Sequence, residues 1–215
     1  MYEDWARKEA IPLEEYCNEN DPDIWKETLN FYNQFSNLGS ERLLETGVKL
    51  GGCGGYPFLY FICRCKKPQT VIETGVAYGL SSFYILSALN KNKFGTLTSI
   101  DAIFRPWQSE EMIGSIIPKY LRDKWKLVLG RSNEKLLDEL KENKNIEIFI
   151  HDSLHTYKNM TFEFNCAMNN IKDDGIIISD DILDNDAFYN FIKNKEIKNS
   201  IIKVEDKGLG FIQKD

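Results

Sequence analysis

The chain has 215 residues, 42% of them hydrophobic, which suits one globular domain with its own core and is too little for two full ones. Lys and Arg total 27 against 33 Asp and Glu, a net charge of -6, and no basic run or aromatic-basic interleaving tracks a phosphate backbone, so nucleic acid is excluded as an expected partner. Five cysteines (Cys17, Cys53, Cys63, Cys65, Cys166) form no zinc-type C-x-x-C pair and fit a reducing cytoplasm, and the longest apolar stretch, around Tyr56 to Cys65, is too short to span a bilayer.

Met1 to Lys8 are acidic and aromatic where a secretory signal is basic and then apolar, so a cytoplasmic protein without a membrane partner is expected. Residues 1 to about 50 carry helical periodicity: Trp25, Leu29, Phe31 and Phe35 are spaced like one face of an amphipathic helix, and Asn20-Asp21-Pro22 supplies its start. The aromatic content of this preface (Trp5, Tyr16, Trp25, Phe31, Tyr32, Phe35) exceeds what one helix face needs and points to a homodimer contact. Gly51, Gly52, Gly54 and Gly55 then lead into an apolar helix from Pro57 to about Arg64; the glycine run reads equally as a hinge or as a tight packing turn.

From Thr70 onward strand-like and helix-like periods alternate, the rhythm of an α/β, Rossmann-like, doubly wound and mostly parallel sheet. Strands are expected at Val71-Thr74, Thr96-Ile100, Trp125-Leu129, Ile146-Ile150 and Ile176-Ser179. Between them fall helices at Leu80-Asn90, roughly Ser109-Tyr120, a helix capped by Ser132, and Tyr157-Ile171, followed by a turn at Lys172-Gly175. A helix near Asp186-Asn194 precedes an antiparallel C-terminal hairpin made of Ile201-Glu205, Lys207-Gly208 and Gly210-Gln213.

Three places in this alternation carry chemistry. Glu73-Thr74-Gly75-Val76-Ala77-Tyr78-Gly79-Leu80-Ser81 runs from a strand through two glycines into a helix start, where unpaired N-H donors and glycine backbone admit a nucleotide-like ligand. The spacing is neither G-x-G-x-x-G nor a phosphate-binding P-loop, and Glu73 would repel a pyrophosphate but could hold an ammonium group. Asp101, ending the next strand, stands where an acid accepts both hydroxyls of a ribose. Asp152 and the pair Asp180-Asp181 follow the all-apolar runs Ile148-Ile150 and Ile176-Ile178, so three carboxylates converge on one cleft. Their mutual repulsion calls for a cation or a shared proton. Read singly, each acid is more simply a solvated helix cap; the reading inverts only for the set.

From Pro68 to Asp215 these residues resemble the class I S-adenosylmethionine-dependent methyltransferases, on the E-x-G-x-x-x-G-x-S loop, Asp101, the Gly130-Arg131-Ser132 turn and the terminal hairpin. Ile150-His151-Asp152-Ser153-Leu154-His155-Thr156-Tyr157 and Gly175-Ile176-Ile177-Ile178-Ser179-Asp180-Asp181 resemble the metal-dependent sugar O-methyltransferases of the macrocin type. The resemblance implies a methyltransferase domain at 68–215 behind an N-terminal helical extension at 1–67 that caps the acceptor or makes a dimer contact. It implies S-adenosylmethionine held by Glu73, Gly75, Gly79, Ser81, Asp101, Ser132 and Asp152, and Mg2+ or another divalent cation held by Asp152, Asp180 and Asp181. His155 or Asp152 serves as the base, and His151, one residue earlier, points to the opposite sheet face. The two consecutive acids can reach one ion only if the chain bends between them.

The reaction so implied moves a methyl group to a hydroxyl of a sugar or glycosylated small molecule, which a coordinated cation makes easier to deprotonate. Relatives of the catechol type carry Asp-Asn where this chain has Asp180-Asp181, which argues against a catechol acceptor. A phenol acceptor and a catalytically silent cofactor-binding scaffold are the alternatives. Phe104, Trp107 and Trp125 could stack on adenine or a sugar ring, although aromatic core is the commoner role.

Overall fold

The computed structural model describes residues 2–48, 55–103, 105–143, 145–193, 198–204 and 207–214. Gly51, Gly52 and Gly54 of the expected hinge, and Phe104, lie outside the described residues.

The N-terminal part comprises α1 (Tyr2–Glu9), β1 (Ala10–Pro12), α2 (Leu13–Asn20), α3 (Pro22–Phe35) and α4 (Leu38–Thr46). The start of α3 is written in its sequence: the Asp21 side chain accepts from the Ile24 N-H at 2.9 Å and Pro22 fills the first turn. Next come α5 (Tyr56–Lys66), β2 (Thr70–Thr74), α6 (Leu80–Asn92), β3 (Thr96–Asp101), β4 (Trp125–Leu129), α7 (Ser132–Glu142), β5 (Ile146–His151), α8 (Tyr157–Asn170), β6 (Ile171–Ser179), α9 (Ala187–Lys193), β7 (Lys198–Val204) and β8 (Lys207–Gln213). The eight strands form one sheet in the order β1-β7-β8-β6-β5-β2-β3-β4. β8 runs antiparallel to β6 and β7, and every other pair is parallel.

The all-apolar strands serve two cores at once, because successive side chains point to opposite faces. Val71, Ile148, Ile150, Ile176 and Ile178 pack with α5 and α6, around Phe58, Phe61, Phe83 and Leu86. Ile72, Phe149 and Ile177 pack on the other face with α7, α8 and α9, around Leu136, Phe164 and Phe188. The N-terminal helices close over the first core. Phe31 stacks on Tyr60 at 4.5 Å, Trp25 meets Phe61 edge-on at 6.1 Å and Phe35 meets Phe83 at 5.1 Å. Tyr16 reaches Phe58, Tyr32 reaches Tyr84, and Trp5 packs on Tyr189 across the molecule. The preface aromatics therefore have partners within the same chain.

Four local expectations change. The helix expected over Ser109-Tyr120 is two short 3-10 turns, Glu110–Met112 and Lys119–Lys124. Gly114 between them has φ +66, and a Cβ there would stand 2.2 Å from the Trp125 ring, so the chain turns where that indole needs space. Trp125 is thus a packing residue whose Nε1 donates to Ser99 Oγ at 2.8 Å. Ser132 begins α7 instead of capping it; Arg131 holds the cap position without a side-chain bond. The expected turn at Lys172-Gly175 is absorbed into β6, which starts at Ile171 opposite Ile146 and then shifts register, with Asp174 at φ +62. Finally, the preface is not wholly helical: Ala10, Ile11 and Pro12 pair in parallel with Ile201, Ile202 and Lys203 at the sheet's edge. No helix of the described residues is long and apolar enough to cross a membrane.

Candidate functional site

Sheet register builds the site. From β2 the chain proceeds outward to β3 and β4, then returns to place β5 and β6 on β2's other side, so the order reverses between β2 and β5. In open α/β sheets that reversal leaves a crevice beyond the strands' carboxyl ends. Each residue just past a strand donates its N-H to one of the last two carbonyls of the neighbouring strand. Asp180 N bonds His151 O at 2.9 Å, Asp152 N bonds Thr74 O at 2.9 Å, Gly75 N bonds Ile100 O at 2.9 Å and Gly130 N bonds Asp101 O at 2.8 Å. Asp180, Asp152, Gly75 and Gly130 therefore lie in one row along the crevice.

A cavity of about 1250 Å³ opens above this row. It exceeds the usual single-ligand range of about 300 to 1000 Å³, which gives room for two molecules side by side. Gly75, Ser81, Asp101, Ser132, Asp152, His155, Asp180 and Asp181 line it, as do Tyr56, Tyr78, Arg131, Lys158, Asn159 and Phe162, to which the sequence assigns no site role. A smaller cavity of about 340 Å³ lies among Gln69, Thr70, Asn145, Glu147 and Lys172, at the other end of β2 and β5, and contains none of the expected residues.

At one end of the cavity the loop after β2 is held in an unusual backbone path. Gly75 and Gly79 have φ of +87 and +97, and Ala77 joins them at +51. A Cβ on Gly75 would fall 1.9 Å from the Asp152 carbonyl oxygen, so glycine is what lets the β2 and β5 ends approach. Asp101 clamps this loop: its Oδ2 accepts from Val76 N at 3.0 Å and Ala77 N at 2.8 Å, and its Oδ1 from Ala102 N at 2.7 Å. Burial raises the Asp101 pKa while these backbone donors oppose the rise. Glu73 and Gly79 are not in the lining. Glu73 is fully buried, its carboxylate accepting from Ser82 Oγ and from Ser99 Oγ at 2.6 Å, and burial pushes it up to about 7 against those hydroxyls. It supports the loop from below and presents no charge to the cavity.

At the other end β6 stops at Ser179, Asp180 is 3% exposed, and Asp181 turns away at φ +47. The bend required between the two acids is present. Carboxylate oxygens of Asp152 and Asp180 and an imidazole nitrogen of His155 lie within 4.8 Å of one another, and so do His155, Asp181 and Asp184. The three acids are thus divided between two groups that share His155. Its Nε2 lies 3.8 Å from Asp152 Oδ1 and its Nδ1 3.6 Å from Asp181 Oδ2. His155 Nε2 is buried and has no hydrogen-bond partner. Burial lowers the His155 pKa, His151 lowers it further, and Asp181, Asp180 and Asp184 resist. An oxygen-rich pair of carboxylates with a neighbouring imidazole is a donor set that fits Mg2+ or Mn2+.

Beneath this end lies a buried carboxylate that the sequence reading missed. Glu163 has no exposure; its Oε2 receives His151 Nδ1 at 2.7 Å and Thr74 Oγ1 at 2.6 Å, and its Oε1 receives Ser153 Oγ at 2.8 Å and Asn159 Nδ2 at 2.9 Å. Burial alone would raise it, but the His151 imidazole beside it and the donating hydroxyls bring it down to about 2. A signal existed: Met160, Glu163, Phe164 and Ala167 make one buried helical stripe, and a charge on such a stripe requires partners.

The family model described as "Methyltransferase domain" matches residues 72–182. Among solved structures, the O-methyltransferase TomG of Streptomyces achromogenes in complex with SAM is 14% identical, covering 88% of each chain with a TM-score of 0.62. A methyltransferase from Geobacter sulfurreducens is 16% identical, covering 85% of this chain and 90% of its own, with a TM-score of 0.63. The O-methyltransferase from Bacillus cereus in complex with SAH is 15% identical, covering 97% and 98%, with a TM-score of 0.58. No curated protein matches.

Proposed function

Because the chain belongs to the methyltransferase domain family, we propose that it is an S-adenosylmethionine-dependent O-methyltransferase, assisted by a divalent cation and acting on a hydroxyl of a sugar or glycosylated small molecule. The observation that carries this reading is the row of Gly75, Asp152 and Asp180 under one large cavity, with the strained glycine loop at one end and His155 among carboxylates at the other. The solved neighbours whose names include SAM or SAH support the choice of cofactor.

The cofactor would rest on Gly75 to Ser81, with Asp101 fixing that loop and Ser132 and Asn133 forming the far wall. Asp152 and Asp180 would hold the cation, with Asp181 across His155 from them. When bound, S-adenosylmethionine supplies an electrophilic methyl group and the cation lowers the pKa of a coordinated hydroxyl. The chain's part is to align the acceptor and take its proton. His155 Nε2 is assigned as that acceptor, since burial keeps the imidazole neutral and no hydrogen bond occupies the nitrogen. Tyr56, from the N-terminal extension 1–67, lines the cavity and supports a role for that segment in shaping the acceptor side. The unbonded thiols of Cys17, Cys63, Cys65 and Cys166 support the assignment to the cytoplasm.

A phenolic acceptor is the second reading, favoured by Tyr56, Leu154 and Phe162 in the lining. Calorimetric titration of S-adenosylmethionine and S-adenosylhomocysteine, with NADH as control and with or without Mg2+, tests the cofactor. Micromolar binding of the first two alone is expected, and no binding under any metal condition overturns the reading. A turnover screen of sugar diols against catechols then decides the acceptor, and chelation is expected to abolish turnover with S-adenosylhomocysteine affinity nearly unchanged.

A further inference from the structure

We infer that Glu163 is a positioning residue that locks the acceptor-side loop, 152–156, to the cofactor-side strand end, so that the two halves of the cavity keep a fixed separation. Its four donors come from different places. Thr74 is the last residue of β2 and precedes Gly75; His151 is the last of β5 and precedes Asp152; Ser153 follows Asp152; and Asn159 lies in the first turns of α8. Asn159 extends the connection, donating to Ser153 Oγ at 3.1 Å and Leu154 O at 3.2 Å and accepting from Ser132 Oγ, on the far cavity wall, at 3.3 Å. One carboxylate thus touches both residues flanking Asp152 and the residue before Gly75. Glu163 itself does not line the cavity and acts only through these neighbours.

The chemistry is specific to an ionised acid. Two carboxylate oxygens accept only, which matches four converging donors, and charge-assisted bonds in a buried site are stronger than neutral ones. An amide of the same shape would put an N-H pair among groups that also donate, leaving buried polar atoms unpaired without altering volume. Methyl transfer needs its two reactants in line, and a slack of about 1 Å between the halves is costly to rate but not to the binding of either alone.

The proposal rests on the methyl-transfer reading, and Glu163→Gln tests it with three readouts: thermal unfolding, S-adenosylhomocysteine affinity, and kcat against KM. The expected result is a cooperative fold, cofactor affinity within about 3-fold of the parent, and kcat down by about 10- to 100-fold, the range found when groups supporting a metal ligand are altered. In a double-mutant cycle, Glu163→Gln and Ser153→Ala are expected to lose less together than the sum of their separate losses. A kcat within about 3-fold of the parent, or additive losses in the cycle, overturns the proposal. Amide exchange of the ligand-free protein separates this failure from failure of the function. If the proposal holds, Glu163→Gln speeds exchange at both 74–76 and 151–157; acceleration at only one of them, or neither, overturns it even where no cofactor binds. Should the Gln variant not fold, Ser153→Ala carries the exchange comparison alone: faster exchange at 74–76 as well as at 152–156 supports the coupling, and unchanged exchange at 74–76 overturns it.

Discussion

Two glutamates without exposure meet burial in opposite ways. Glu73 has only hydroxyl partners, and burial lifts its pKa from an ordinary 4.5 to about 7. Glu163 has an imidazole and three further donors and falls to about 2. The signs follow: Glu73 contributes stability fully present below about pH 4.5 and lost as pH rises through about 7, whereas Glu163 contributes stability present above about 4.5 and lost as pH falls through about 2. Glu73→Gln should therefore be more stable than the parent at pH 8, by up to about 3 kcal/mol, with the advantage gone at pH 4; melting temperature against pH checks it. In the cavity, Asp180→Asn should lower turnover by on the order of 100-fold while leaving cofactor affinity nearly intact. Asp101→Ala should weaken cofactor binding first, because it frees the Val76 and Ala77 N-H groups from their clamp. Equal losses of affinity in both variants would count against separate subsites. Asp152 and Asp180 were legible in the sequence because each follows an all-apolar run, and Asp101 because it ends the strand after the glycine loop. Glu163 was legible only as a charge within the apolar stripe of α8, which attention to acids at strand ends passes over, and Glu73 was read as facing a ligand because burial below a loop leaves no mark on the loop's own motif.

At the scale of elements, the site depends on how closely two strand ends can approach. Gly75→Ala would bring a methyl onto the Asp152 carbonyl at a left-handed φ, and a loss of more than about 4 kcal/mol, together with loss of cofactor binding, is expected from denaturant unfolding and calorimetry. The parallel strands were readable because runs such as Ile176 to Ile178 feed two cores and permit no polar face. The segment 109–120 was misread because its apolar spacing is helical while Gly114 answers to Trp125, a contact between a loop and a strand that local periodicity does not encode. β1 was missed for a related reason: three residues ending in proline make no pattern, and only β7 supplies their partners.

Over the whole molecule, the N-terminal segments are part of the first core, packed with α5, α6 and the sheet. Trp25 is 5% exposed against Phe61 and belongs to the same core as Phe83 and Ile148, so Trp25→Ala should cost about 3 to 5 kcal/mol and leave the sedimentation coefficient unchanged. A changed coefficient at equal stability would instead assign the aromatic helices to contacts between copies. The pairing of β1 with β7 has a temporal side as well. Ala10 emerges from the ribosome long before Ile201, the residue it must sit beside. At about 5 to 20 residues per second, that strand waits roughly 10 to 40 s for its seat, and the nascent chain cannot finish this edge of its sheet until β7 has been made.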